Sequence, residues 1–196
     1  MTYLFLDTSS NTLILSLIKE DKVIDKIIME SLKEHSIYAV EKLDEILKNN
    51  NLTPNDIDKI FVVNGPGSFT GVRIGVTIAK TYAYCLKKEI VPISSLKMKI
   101  LEYKDYDNYV SVMKDKRDLV YCGLYDREYK TVFEELITTE QLKNRLEKLN
   151  NYKLIECEND DENRKNLNIV EVINYYKNKK SVNPHEVNPV YLKEVI

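Results

Sequence analysis

Three short apolar runs open the chain: TYLFLDT (2–8), TLILSLIK (12–19) and KVIDKIIM (22–29). Each has strand length, and only short polar breaks separate them. They predict an antiparallel meander. The period then changes. Ile37, Val40, Leu43 and Leu47 recur at helical spacing, with Glu41, Lys42 and Asp44 between them, which predicts a helix over 36–48 with those apolar residues inward. KIFVVNG (59–65) reads as a buried strand, 70–87 as a second helix and EIVPI (89–93) as another strand. Ser94 then caps a helix running to about Tyr103.

The second half repeats the order. YVSVMK (109–114), LVYCGLYD (119–126) and KTVFEEL (130–136) predict strands. A helix over 140–149, a strand YKLIEC (152–157) and a helix within 163–179 follow. The pattern βββαβα thus occurs twice, without visible residue identity. Two such units predict an α/β fold of duplicated ribonuclease-H-like type, two lobes each with a mixed sheet flanked by helices. The expected division is a first lobe over 1–102, a second and shorter lobe over 103–180, and a proline-punctuated tail over 181–196 that docks back on a lobe.

The stretch NGPGSFTGVRIG (64–75) holds four of the chain's five glycines. It is not a Walker loop, because Val72 stands where lysine is required. It is not the dinucleotide fingerprint either, because Thr70 takes the third glycine position. A loose anion site at the helix start is compatible with it. Beyond the turn, Gly71, Gly75, Ala79 and Ala83 fall every four residues, a stripe that lets another backbone approach closely. Arg73, Lys80 and Lys87 form one narrow polar edge. A helix this apolar is covered on more than one side. Either its own sheet and neighbouring helices supply that cover, or a partner protein supplies part of it.

Composition narrows the function. The chain has 196 residues, 43% of them apolar and 31% charged, with a net charge of −2. That suits a water-soluble globule and gives no global sign of a nucleic-acid or membrane binder. No apolar run is long enough to span a bilayer, and Asp7 interrupts the first. Three cysteines, Cys85, Cys122 and Cys157, form no CxxC pair. They read as reduced thiols filling apolar space, so a cytoplasmic location is expected. The fourteen tyrosines are spread widely and read as packing residues rather than a base-stacking platform.

Catalytic signatures are sparse. Asp7, Thr8 and Ser9 end the first strand, where a metal–nucleotide is held in phosphotransferases of duplicated ribonuclease-H-like type. The plainer reading is a local hydrogen-bonded turn. At the equivalent hairpin of the second half, Lys116 and Arg117 occupy the turn instead of glycine, so a phosphate loop is missing there. Two histidines, His35 and His185, lie far apart and no zinc spacing is present, so no metal site is expected. Ser68 lacks a G-x-S-x-G context.

LFLDTSS, the helix after His35, NGPGSFTGVRIGVTIAK, VPISSL, DKRDLVYCGLYD and PVYLKEV follow one another in order. Together they resemble the TsaB family, also called YeaZ, of tRNA N6-threonylcarbamoyladenosine (t6A) biosynthesis. GPGSFTGxRxG is the specific part; 128–180 is the least family-like. The resemblance implies the actin/Hsp70/sugar-kinase (ASKHA) fold with a trimmed second lobe. It implies a non-catalytic partner of the catalytic paralogue TsaD, which modifies adenosine 37 of tRNA, with a TsaE-type ATPase joining the complex. Pairing with TsaD, or with a second copy, would use the two first-lobe helices. Tyr38, Lys42, Arg73, Gly75, Ala79 and Tyr82 are the expected contacts. Asp7, Thr8 and Ser9 would be a vestigial nucleotide site, with ATP or ADP held only at a subunit boundary. Where the catalytic paralogue carries two metal-binding histidines, alignment puts Ser95 and Lys99, and a charged lysine repels a cation. The rivals are an independent ATPase or small-molecule kinase of this fold, and a direct tRNA-binding module using Lys114, Lys116 and Arg117.

Overall fold

The computed structural model describes residues 1–30, 34–157 and 166–192. The first sheet is built from β1 (Thr2–Asp7), β2 (Thr12–Lys19), β3 (Lys22–Glu30), β4 (Lys59–Gly65) and β5 (Glu89–Ser94), in the order β3-β2-β1-β4-β5. β1, β2 and β3 pair antiparallel; β4 lies parallel to β1 and β5 parallel to β4. Helices α1 (His35–Asn49) and α2 (Phe69–Leu86) connect through this sheet. The second sheet repeats the rule with β6 (Asn108–Lys114), β7 (Leu119–Asp126), β8 (Thr131–Thr138) and β9 (Tyr152–Cys157), in the order β8-β7-β6-β9. Its β6 and β9 are parallel and its other pairs antiparallel. Helix α3 (Thr139–Leu146) precedes β9 and α4 (Ile169–Tyr176) follows it. This is the duplicated ribonuclease-H-like fold, and the second lobe has one strand fewer among the described residues.

β1 shows why the opening run is apolar on both sides. Leu4 and Leu6 enter an outer core with α1 and α2, while Tyr3 and Phe5 enter an inner core. Strands covered on both faces read as continuous apolar runs rather than alternating ones. The inner core joins the lobes. Phe5, Phe61 and Val91 of the first sheet meet Tyr109, Met113 and Tyr125 of the second, with Ile169 and Ile173 of α4 in the same cluster.

Three expectations change. α1 buries His35, Ala39, Leu43, Ile46 and Leu47, and leaves Ile37 and Val40 exposed at 61% and 59%. Its inward face is therefore rotated from the expected one. After Ser94 no α-helix forms. The Ser94 hydroxyl accepts the Lys97 N–H at 3.3 Å, as a cap would, but only a single 3-10 turn (Lys97–Lys99) follows. Ser95, Leu96, Met98, Ile100 and Leu101 are all buried, and a regular helix has no one face that could bury so many neighbours. The last helix is confined to Ile169–Tyr176 among the described residues; the start of its expected range, 163–165, lies outside them. The tail lies along the first lobe. Val182 N–H donates to Ile90 O at 3.1 Å, Val190 N–H donates to Asn64 O at 2.8 Å, and Val187 is buried in the outer core. Residues 193–196, the end of the family-like PVYLKEV, lie outside the described residues.

Candidate functional site: the lobe cleft and the α1–α2 face

The glycine-rich turn is a knot of internal bonds. Ser68 N–H donates to Ser9 O at 2.7 Å, and its hydroxyl caps α2 by accepting Gly71 N–H at 3.2 Å. Thr8 Oγ1 donates to Gly71 O at 2.7 Å. Ser95 N–H donates to Gly65 O at 2.9 Å, and Ser95 Oγ donates to Pro66 O. The peptide bond between Gly65 and Pro66 is cis. Two N–H groups that an anion would need at the helix start are thus already donated within the chain.

The glycines serve this knot. Gly65 has φ +110°, which L side chains rarely adopt. A Cβ on Gly71 would run into the carbonyl oxygen of Thr8, and one on Gly75 into the Thr8 hydroxyl. The close neighbour of the small-residue stripe is therefore the end of the chain's own β1. Gly75 and Ala79 are buried inside the protein, which removes them from any outward contact face.

Asp7 is fully buried. Its carboxylate accepts Ser9 N–H at 2.8 Å and Ser9 Oγ–H at 2.7 Å, the local turn expected from its neighbours. A cleft of about 210 Å³ opens between the lobes, lined by Ser9, Ser10, Gly67 and Ser68 on one side and Lys114, Asp115 and Tyr121 on the other. Ser9 reaches it; Asp7 and Thr8 are not among its lining residues. One oxygen of the Asp7 carboxylate, Oδ1, is held in the Ser9 turn. Ser95 and Lys99 are buried. No cluster of metal-ligating side chains occurs among the described residues. His35 is buried at the entry of α1 with Nε2 2.6 Å from Ser10 O; a carbonyl only accepts, so the proton sits on Nε2.

The outer side of α1 and α2 has different chemistry. Tyr38 is half-buried. Lys42 is ion-paired to Glu45 at 2.6 Å, and that hydrogen bond holds its ammonium above the ordinary lysine range. Tyr82 donates to Pro54 O at 2.6 Å, and burial pushes its phenol up. Arg73 stacks on Phe69, 3.7 Å from the ring centroid, and donates to the Tyr191 hydroxyl at 2.6 Å. Lys42, Tyr82 and Arg73 are each engaged inside the chain. Ile37 and Val40, by contrast, present bare hydrocarbon to solvent, as does Phe69 at 57% exposure. The sequence pattern hid them, because helical spacing alone does not say which of two apolar stripes faces in. Cys85 is exposed on α2, against expectation, whereas Cys122 is buried as expected; the Cys157 side chain lies outside the description.

The sequence profile described as "TsaD: tRNA N6-adenosine threonylcarbamoyltransferase" matches residues 26–175. The "tRNA threonylcarbamoyladenosine biosynthesis protein TsaB" of Bacillus subtilis (strain 168) is 41% identical over 142 residues, covering 72% of this chain and 61% of that protein. The TsaB of Buchnera aphidicola subsp. Schizaphis graminum is 30% identical over 156 residues, covering 74% of this chain and 73% of that one. The chain belongs to the TsaB family. It spans about three fifths of the length of the first TsaB relative it matches. "YeaZ from Pseudomonas aeruginosa" superposes with a TM-score of 0.74 at 18% identity, over 97% of this chain and 99% of that one, which shows the shared fold. The TsaB assignment and the TsaD profile agree with the duplicated lobes, since both describe one fold carried by paralogues. No helix among the described residues is long and apolar enough to cross a membrane.

Proposed function

We propose that the chain is a non-catalytic scaffold or activator subunit of the cytoplasmic assembly that makes N6-threonylcarbamoyladenosine at position 37 of tRNA. It pairs with a TsaD-type catalytic paralogue through the outer face of α1 and α2, and the same face serves a homodimer when the paralogue is absent. A TsaE-type ATPase joins the complex, and ATP or ADP is held only at a subunit boundary. The observation that carries this reading is the exposure of Ile37 and Val40 on α1. Two aliphatic side chains one helical turn apart on a solvent-facing stripe are what a partner helix covers. The closed Asp7 turn supports the non-catalytic part. Of the expected contacts, Tyr38, Lys42, Arg73 and Tyr82 stay on the face as its rim, and Ile37 and Val40 become its centre.

The test is size-exclusion chromatography with the TsaD-type paralogue. The wild type is expected to co-elute, and Ile37→Glu with Val40→Glu to abolish co-elution while leaving the fold intact by circular dichroism. The rival reading, an independent ATPase or small-molecule kinase, requires phosphoryl transfer by the isolated chain that Asp7→Ala abolishes. That result would overturn the proposal.

A further inference from the structure

Three side chains form one construction at the start of α2. Phe69 stands on its first turn, largely exposed, and Tyr191 of the tail lies against it with ring centroids 5.4 Å apart. The Arg73 guanidinium lies 3.7 Å from the Phe69 centroid and 5.5 Å from that of Tyr191. Residues four apart share a helix face, and a long side chain leans back toward the helix start, so the spacing itself lays Arg73 on Phe69. Its Nε donates to the Tyr191 hydroxyl at 2.6 Å, across 118 positions of sequence. An aromatic face and a hydrogen bond thus fix the guanidinium. Its other nitrogens, Nη1 and Nη2, make no hydrogen bond or ion pair among the described residues.

The chain's own acids leave this cation unanswered among the described residues. α2 carries no Asp or Glu. Glu186 belongs to the short tail turn at 184–186, whose His185 carbonyl accepts from Lys80, about 10 Å along α2 from Arg73. Glu34, which precedes α1, forms no ion pair with Arg73. A basin of about 450 Å³ opens between the starts of α1 and α2, lined by His35, Phe69, Thr70 and Ile74 together with small polar side chains and Gly71. No described Asp, Glu, Lys or Arg lines it. Phe69 is shared by the stack and the basin, so a single guanidinium stands beside the proposed pairing face.

We propose that Arg73 receives a carboxylate side chain of the TsaD-type paralogue, through two parallel hydrogen bonds donated by Nη1 and Nη2; this rests on the pairing reading above and adds to it what the partner must bring. The chemistry selects the occupant. A carboxylate carries one charge and two oxygens, which match one fork of N–H groups. A phosphate brings more charge and three oxygens, and the basin offers no second Lys or Arg for them. A guanidinium already stacked and bonded loses little freedom on docking. A charged contact at a rim decides which partner docks more than how tightly the apolar centre holds. Ile37 and Val40 then supply affinity, and Arg73 supplies choice: a helix with a suitable apolar stripe but a basic residue at that place is rejected. Tyr191 is a positioning residue, because its hydroxyl occupies Nε and leaves the Nη edge for the partner.

The experiment is biolayer interferometry of the full chain against the immobilised paralogue at low and high salt. Arg73→Glu is expected to raise the Kd about a hundredfold. Arg73→Lys, which keeps the charge and loses the fork, raises it about tenfold, and Tyr191→Phe about threefold. The Arg73 losses shrink at high salt. The deciding readout is charge exchange. Acidic residues on the paralogue's docking helices are replaced one at a time by arginine, and one replacement restores Arg73→Glu while weakening the wild type. An Arg73 that only supported the fold would gain nothing from it. Glu194 lies outside the described residues, and Glu194→Gln is the control that leaves the Kd unchanged. Equal Kd for wild type and Arg73→Glu, or no rescue by any exchange, would overturn the proposal. So would recovery of Arg73→Glu by Glu194→Arg in the same chain, or saturable binding of inorganic phosphate by the free chain that Arg73→Gln abolishes. A wild type that does not bind the paralogue sinks the pairing reading and this inference together. Loss of binding in Ile37→Glu with Val40→Glu, but not in Arg73→Glu, sinks this inference alone.

Discussion

The outer faces of the two sheets are covered unequally. In the first lobe, α1 and α2 run 15 and 18 residues and bury Ala39, Ile46, Val76 and Ala79 against Leu4, Leu6 and Val62. In the second, α3 has 8 residues and none of them is buried. Beneath it lies an apolar cavity of about 170 Å³ between Cys122, Phe133, Leu142 and Leu149. One topology thus carries a dense face and a thin one. Stability follows buried apolar area and close packing more than strand order. The first lobe should therefore unfold with the whole molecule, while β8 and α3 open locally at lower cost.

The largest expected effect is in the dense lobe. Phe61 is fully buried in the inner core and meets Tyr3 edge-on with centroids 5.5 Å apart. Phe61→Ala should cost about 4 kcal/mol by denaturant unfolding. Phe133→Ala, on the thin face, should cost no more than about 1.5 kcal/mol. Equal losses would break the comparison. Next comes Gly71→Ala. Its methyl would strike the Thr8 carbonyl, which is backbone and cannot swing away, and the Thr8–Gly71 hydrogen bond would go with it. A loss of about 3 kcal/mol is expected, against a gain in helix propensity of about 1 kcal/mol were the site open. A stabilised Gly71→Ala would show that the turn is not packed as described.

These residues mark what could be read from the sequence. The succession of strands was legible because β1, β2 and β4 are mostly apolar and the breaks between the first three strands are short. α2 was legible because its apolar run is long; its cap, Ser68, was not. The inward face of α1 was not, since Ile37 and Val40 have the same spacing and chemistry as true core residues. Only the third dimension distinguishes the two stripes. The stretch after Ser94 carried a real cap signal, but the inner core claimed nearly every side chain behind it. In the site, the failure of both nucleotide fingerprints was legible residue by residue. The partner of the small stripe was not: spacing shows that something approaches, and Thr8 lies 63 positions away from Gly71.

Cys122 sharpens the comparison through pH. Burial pushes its thiol from an ordinary 9.0 up to about 11, with Arg145 lowering and Glu135 raising it to smaller degrees. Below pH 9 the thiol is protonated in both folded and unfolded chains and contributes no pH dependence. Between about 9 and 11 the unfolded thiol ionises and the buried one does not, so stability falls as pH rises. The loss by pH 11 is on the order of 2 kcal/mol, and Cys122→Ala should remove that part of the slope. Unfolding measured at pH 8 and pH 10.5 in both proteins checks it. A slope unchanged by the substitution would mean that the cavity already admits water to the sulfur.

The smallest expected effect separates local opening from global stability. Arg145 closes one side of the cavity, stacking 4.4 Å from the Phe133 centroid and pairing with Glu135 at 2.8 Å. Both partners are partly exposed, so Arg145→Ala should cost only about 0.5–1 kcal/mol. Yet it removes a wall over Cys122. Thiol labelling at pH 8, followed by mass spectrometry of the Cys122 peptide, should speed up several-fold even though the denaturation midpoint barely moves. Lys42→Ala on α1 breaks an ion pair of similar exposure over a dense face, and should leave Cys122 labelling unchanged. If labelling of Arg145→Ala instead speeds up only as far as the small shift in midpoint requires, Cys122 is reached only by global unfolding. The two outer faces would then be equally tight, whatever their difference in helix length.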